Sequence, residues 1–207
     1  MIDTGDVRQP AETGPAQPDR KAVLRGAATV AATAVALSAL HAIPAARAVA
    51  ASDIAVIGDS YTAGSGEGGN GPQAWTEIAR QLLAAEGVEV DADVAAEGGA
   101  GYGQRGSGGS VFGDLTARAV RHSDKLVVFF GSRNDRPVDP QRVADLAGDT
   151  FRLARMAAPS AKLLVIGPPW PTAGPPPEVL TIRDRLREQA AAAGAVFVDP
   201  LTEAWFV

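Results

Sequence analysis

Short apolar runs alternate along the chain with longer segments in which apolar residues recur at helical spacing. The short runs, rich in Val, Ile, Leu and Phe, predict strands over 53–57, 125–130, 162–167 and 195–199, and the alternation of apolar and polar residues over 88–95 predicts a further strand with one face in solvent. The longer segments predict helices over 73–87, 111–122, 139–158 and 177–194. Five strands separated by helices predict an α/β fold of three layers, in which a five-stranded parallel sheet lies between two layers of helices.

The loops that follow the predicted strands are the first place to look for function. In an open parallel sheet, ligands bind beyond the carboxyl ends of the strands. The loops after the first four strands, which we expect to share one rim, are 58–71, 96–110, 131–139 and 167–177.

The first part of the chain has the pattern of a secretory signal peptide. A basic patch of Arg20, Lys21 and Arg25 leads into an alanine-rich apolar run, and small residues then suit cleavage after Ala48 or Ala50. The apolar run is shorter than the ~20 residues that a membrane-spanning helix needs. The basic patch also resembles a twin-arginine signal in which Lys21 replaces the second arginine. We therefore expect a secreted or otherwise extracytoplasmic protein with no stable membrane span after cleavage.

This pattern divides the chain into residues 1–48, a disordered N-terminus and signal peptide, and residues 49–207, one folded domain. Residues 1–48 hold five of the 19 Lys and Arg residues and four of the 24 Asp and Glu residues, which leaves 14 against 20 and a net charge of −6. Such an acidic domain argues against nucleic acid as a partner. The chain has no cysteine, which excludes thiolate metal sites and cysteine nucleophiles.

Two glycine-rich loops match the pattern G-x-G-x-x-G, at 64–69 and at 101–106. A dinucleotide-binding loop places its first glycine directly at a strand end and its last inside the next helix. Residues 58–63 separate the first predicted strand from Gly64, and Pro72 stands before the helix. A nucleotide-binding, Rossmann-like protein is therefore a remote alternative.

Three residue types at successive strand ends favour a serine nucleophile instead. Ser60 follows the first strand, and Asn134 follows the third with Asp135 behind it. An asparagine amide can donate to a developing oxyanion, and a glycine after the second strand lets its backbone N–H approach a ligand closely.

With these residues in place, the chain resembles the SGNH, or GDSL-type, hydrolases. The first block of that superfamily, G-D-S, is matched by Gly58, Asp59 and Ser60. Its second-block glycine corresponds best to Gly99, or to Gly98 if the alignment slips by one. Its third block, G-x-N-D, is matched by Ser132-Arg133-Asn134-Asp135, with serine in the glycine place.

The resemblance implies a flavodoxin-like sheet of order 2-1-3-4-5 and hydrolysis of carboxylic esters without a metal or organic cofactor. Ser60 would attack the acyl carbon, and the oxyanion would be held by the N–H groups of Ser60 and Gly99 and the amide of Asn134. Gly58, Asp59 and Asp135 would support this site. Small acyl esters, carbohydrate esters and lipid esters all remain open as substrates.

The superfamily's base, the histidine of a final Asp-x-x-His block, has no match in the chain. His41 falls in the signal segment, and His122 precedes the third strand, at the wrong edge of the sheet. We expect a chain truncated before that block, and therefore inactive or weakly active. The alternative is a pseudoenzyme that binds an acyl group or a glycan without catalysis.

Overall fold

The structure, a computed structural model, describes residues 51–65, 69–172, 174–203 and 205. The predictions for residues 1–48 lie outside this part of the chain. Five strands, β1 to β5, form one parallel sheet: Ser52–Gly58, Val90–Ala96, Leu126–Phe130, Lys162–Ile166 and Val196–Val198. The strand order is β2-β1-β3-β4-β5, which confirms the predicted order 2-1-3-4-5 and the α/β fold.

Five helices, α1 to α5, are Ser60–Ala63, Trp75–Ala85, Phe112–Ala119, Pro140–Ala157 and Pro177–Ala192. The four longer ones confirm the predicted helices, with ends that differ by a few residues. Asp139 caps α4 by accepting the N–H of Arg142 at 3.0 Å, and a proline begins both α4 and α5, where its missing N–H costs nothing. The one-turn helix α1 was not predicted, because four residues are too few to show an apolar period.

Each strand divides its side chains between the two faces of the sheet. The face that we call face A carries the larger core, to which the strands contribute Ala55, Ile57, Ala95, Val127, Phe129, Leu163 and Val165. These pack against apolar residues of α3, α4 and α5. The opposite face, face B, has a smaller core of Val56, Tyr61, Val128, Phe130 and Ile166.

Because the strands are parallel, the loops after β1 to β4 leave the same edge of the sheet. The expectation that loops 58–71, 96–110, 131–139 and 167–177 share one rim is therefore confirmed for their described residues. Among the described residues, no helix is long and apolar enough to cross a membrane.

Candidate active site

Ser60 begins α1 immediately beyond the end of β1. The preceding residue, Asp59, caps this helix by accepting the N–H of Tyr61 at 2.9 Å. A Cβ on Gly58 would lie 2.3 Å from Oγ1 of Thr62, so that the sharp turn from strand to helix requires glycine at this position. The turn leaves Ser60 partly buried at the rim while Asp59 is buried beneath it.

Gly99 lies in the loop of residues 98–110 that follows β2, which we call the glycine loop. Its φ angle is +80°, a left-handed conformation that favours glycine. Within the described residues, the N–H groups of Ser60 and Gly99 have no hydrogen-bond acceptor. Both N–H groups lie just beyond the ends of the adjacent strands β1 and β2.

Asn134 connects the turn at Ser60 to the glycine loop. It lies in a short 3₁₀ turn, Arg133–Asp135, just beyond β3. Its Nδ2 donates to the backbone oxygen of Ala100 at 2.8 Å and to Oδ2 of Asp59 at 3.2 Å. One amide therefore contacts the residue that precedes Ser60 and the residue that follows Gly99.

Asp135 holds the glycine loop from inside. Its fully buried carboxylate accepts three consecutive backbone N–H groups, those of Tyr102, Gly103 and Gln104, each at 2.8 Å. Burial raises the pKa of Asp135, while these N–H groups oppose the rise by stabilising the charged form.

This carboxylate changes the interpretation of the second G-x-G-x-x-G match, at 101–106. The loop does cradle an anion with successive N–H groups, but the anion is the protein's own Asp135. A phosphate in the same place would compete with a buried carboxylate that is already bound. The local geometry therefore gives no support to nucleotide binding at this loop.

Asp59 has a different electrostatic environment from Asp135. Burial raises the pKa of Asp59 from 3.8 to about 6, against the lowering effects of the Tyr61 N–H and the Arg133 charge. The charge of Asp135 contributes a further increase. A carboxyl group that titrates near neutrality thus lies directly beside Ser60 in the chain.

Neither histidine of the chain is placed at this rim by the described structure. His122 is exposed in the loop before β3, at the amino edge of the sheet, opposite to Ser60. His41 lies outside the described residues. Among the described residues, no three His, Asp or Glu side chains are grouped closely enough to hold a metal ion.

The sequence placed Glu97 and Ala100 in a rim loop but assigned neither a role at this site. Ala100 accepts the Asn134 amide through its backbone oxygen, and a backbone contact cannot be predicted from the residue type. Glu97 was open to prediction, because a charged residue directly after β2 and before a glycine-rich stretch is placed at the rim by the same argument as Ser60.

Comparison with known proteins identifies the family. Residues 56–206 match the model of the GDSL-like lipase/acylhydrolase family. The chain is also similar to the protein named GDSL lipase Rv0518 of Mycobacterium tuberculosis, with 62% identity over 157 residues that cover 74% of this chain and 68% of that protein.

Solved structures share the fold at low identity. The crystal structure of TesA has a TM-score of 0.57 and 22% identity, over 70% of this chain and 76% of that one. A family two carbohydrate esterase from Clostridium thermocellum, in complex with cellohexaose, has a TM-score of 0.56 and 17% identity, over 76% of this chain and 56% of that one. The family match, the relative and the sheet order agree, and the chain belongs to the GDSL-like lipase/acylhydrolase family as an SGNH-type ester hydrolase.

Proposed function

We propose that the protein cleaves carboxylic esters by a serine mechanism in which Ser60 is the nucleophile. The N–H groups of Ser60 and Gly99 and the side-chain amide of Asn134 then form the oxyanion hole. The observation that carries this assignment is the position of Asn134, which contacts both Asp59 and Ala100 and so unites the three strand ends. Gly58, Asp59 and Asp135 support the site through the contacts described above.

The chemistry follows from these positions. Oγ of Ser60 forms a bond to the acyl carbon and gives its proton to a base, which is water or added imidazole for this chain, and the carbonyl oxygen becomes an oxyanion. The C–O bond to the alcohol then breaks, and the alcohol leaves with that proton. Water releases the acyl group from Ser60 in a second round. The Asn134 amide already donates to two acceptors, and the 3.2 Å bond to Asp59 is the longer of the two. We propose that during the reaction Nδ2 of Asn134 exchanges this acceptor, Oδ2 of Asp59, for the oxyanion.

A serine hydroxyl needs a base that takes its proton, and His122 is at the opposite edge of the sheet. The Asp-x-x-His block of the superfamily is absent from the sequence. We therefore propose that this chain by itself hydrolyses esters slowly. Loss of the base typically costs about 10²–10⁴-fold in rate, whereas an intact oxyanion hole retains part of the catalysis.

External imidazole provides the test. Hydrolysis of p-nitrophenyl acetate is measured at increasing imidazole concentration with the native chain and with Ser60→Ala, which corrects for the reaction of imidazole itself. We expect the native chain to exceed Ser60→Ala, with a difference that grows with imidazole. Identical rates in the two proteins would refute the serine mechanism and favour a non-catalytic protein that binds acyl groups or glycans.

The substrate that we propose is an acyl ester of a small molecule, a carbohydrate or a lipid, with no nucleic-acid partner, because the domain is acidic. We also propose export, which is supported by the order of basic, apolar and small residues over 20–50. Mass spectrometry of the protein recovered outside the cell should find an N-terminus just after Ala48 or Ala50. Recovery of the full-length chain from the cytoplasm alone would contradict export.

A further inference from the structure

The glycine loop is built around a second carboxylate, that of Glu97, which directly follows β2. Oε2 of Glu97 accepts the N–H groups of Gly108 at 3.1 Å and of Ser110 at 3.0 Å. Oε1 accepts the hydroxyl of Ser110 at 2.5 Å and an N–H of Arg118 at 3.3 Å. Four donors from the loop and from α3 thus converge on one carboxylate.

The environment keeps this carboxylate ionised and shielded. Its side chain is only 13% exposed. The Ser110 hydroxyl and N–H lower the pKa of Glu97, with contributions from Arg118 and Gly108. Hydrogen bonds to a charged acceptor are stronger than those between neutral groups, and an amide at position 97 would offer one oxygen where the carboxylate offers two.

The backbone of Glu97 ties the same residue to the proposed oxyanion hole. Its N–H donates to the oxygen of Gly58 at 3.2 Å, next to the turn that carries Ser60. Its backbone oxygen accepts the N–H of Ala100 at 3.1 Å, which closes the turn that contains Gly99. Asp135 fixes residues 102–104 of the loop, and Glu97 fixes its far end at 108–110.

We propose that Glu97 is a positioning residue for the oxyanion hole: by gathering the glycine loop around its carboxylate, it fixes the direction of the Gly99 N–H relative to Ser60. The inference rests on the proposed ester hydrolysis. Donors of an oxyanion hole act because they are held in place before the reaction, and a displacement of about 1 Å can cost roughly 10²-fold in rate. A loop of so many glycines has little stiffness of its own.

The test compares Glu97→Ala and Glu97→Gln with Glu77→Ala as a matched control. Glu77, on α2, also accepts hydrogen bonds from an arginine and a second side chain, but it lies outside the glycine loop. Two measurements are made on the full chain: amide hydrogen exchange over residues 98–110, and hydrolysis of p-nitrophenyl acetate with imidazole.

For Glu97→Ala we expect faster exchange in the glycine loop with unchanged protection of β1, β3 and β4. We expect kcat to fall by roughly 10- to 100-fold and KM to change by less than about 2-fold, since ground-state binding does not use the oxyanion donors in full. Glu97→Gln should recover only part of kcat, because its single oxygen cannot accept all four donors, and Glu77→Ala should match the native chain in both measurements. A merely structural role would lower the melting temperature without this separation of kcat from KM.

A second variant covers the case in which Glu97→Ala does not fold. A Cβ on Gly108 would lie 2.9 Å from the Glu97 carboxylate, so Gly108→Ala displaces the carboxylate without removing its charge and should also lower kcat. Unchanged kcat in a folded Glu97→Ala or Gly108→Ala protein would overturn this inference alone. A native chain that never exceeds Ser60→Ala would overturn the proposed hydrolysis and the inference together.

Discussion

Face A and face B of the sheet are made by alternate residues of the same strands, yet they are buried to different extents. On face A, the rings of Tyr102, Phe112 of α3, Phe129 and Phe151 of α4 form a buried cluster with edge-on and tilted contacts. On face B, the rings of Tyr61, Trp75, Phe130 and Trp205 also cluster, but Trp205 is 48% exposed. The same apolar strand pattern therefore supports two unequal cores.

The helix α2, whose first residue Trp75 belongs to the face B cluster, is itself only partly buried. Its apolar residues have helical spacing, but none of its side chains, all of which the structure describes, is buried. Ile78, Leu82 and Leu83 are 45%, 65% and 39% exposed. An amphipathic pattern predicts that a helix forms, whereas the extent of its burial depends on what else packs around it.

The largest effect should come from a matched pair of adjacent leucines on β4. Leu163 points into face A and is 1% exposed, whereas Leu164 lies on face B and is partly buried. Leu163→Ala should lower the free energy of unfolding by about 2–5 kcal/mol, because it leaves a cavity in a closed core. Leu164→Ala should cost roughly half as much or less. Urea unfolding of both variants measures the difference, and equal losses would show that the two faces are equally closed.

A smaller effect should appear at Asp59, which lies at the carboxyl edge of the sheet. Its pKa is raised to about 6 in the folded protein, so that the native state holds this proton more tightly than the unfolded state. The free-energy cost of burying the ionised Asp59 carboxylate is absent below pH 3.8, where the carboxyl is protonated in both states, and is complete above about pH 6. The contribution of Asp59 thus makes stability fall as pH rises through this window, by on the order of 3 kcal/mol.

Asp59→Asn removes this titration and is the variant that reveals it. Urea unfolding at several pH values should show the native chain losing stability relative to Asp59→Asn between about pH 4 and pH 6. Parallel curves for the two proteins would mean that the Asp59 carboxyl is not desolvated as the structure indicates. Because the charges of Asp59 and Asp135 interact, the difference between the two curves reports the titration of the pair.

The smallest effect should occur on the exposed side of α2. Leu82→Gln should change the free energy of unfolding by no more than ~0.5 kcal/mol, because the side chain is 65% exposed. The matched control is Leu186→Gln on α5, where the side chain is fully buried and a polar group would lack a partner. A loss of more than ~1 kcal/mol for Leu82→Gln, read from urea unfolding, would show that α2 is covered in solution.

Local patterns account for most of the fold. The runs at 125–130 and 162–167 became the central strands β3 and β4 because they are apolar on both faces, and the helices over 139–158 and 177–194 have prolines at their starts. The turn at Ser60 formed a helix that the sequence did not predict. The sequence also did not predict the contact between Asn134 and Ala100. This contact depends on how two loops that are distant in the chain pack against each other.

The sequence by itself determined the elements, their order in the sheet through the family resemblance, and the rim on which Ser60, Gly99 and Asn134 lie. These follow from apolar periodicity and from short motifs, which are local properties of the chain. Only the tertiary structure decided that the glycine loop encloses Asp135 and Glu97 rather than a phosphate, and that face A is more completely buried than face B. The Glu97 hydrogen bonds join residues 11 and 13 positions apart and the Asp135 hydrogen bonds join residues 31 to 33 positions apart. Both sets, like the burial of a whole face, depend on packing that no single segment contains.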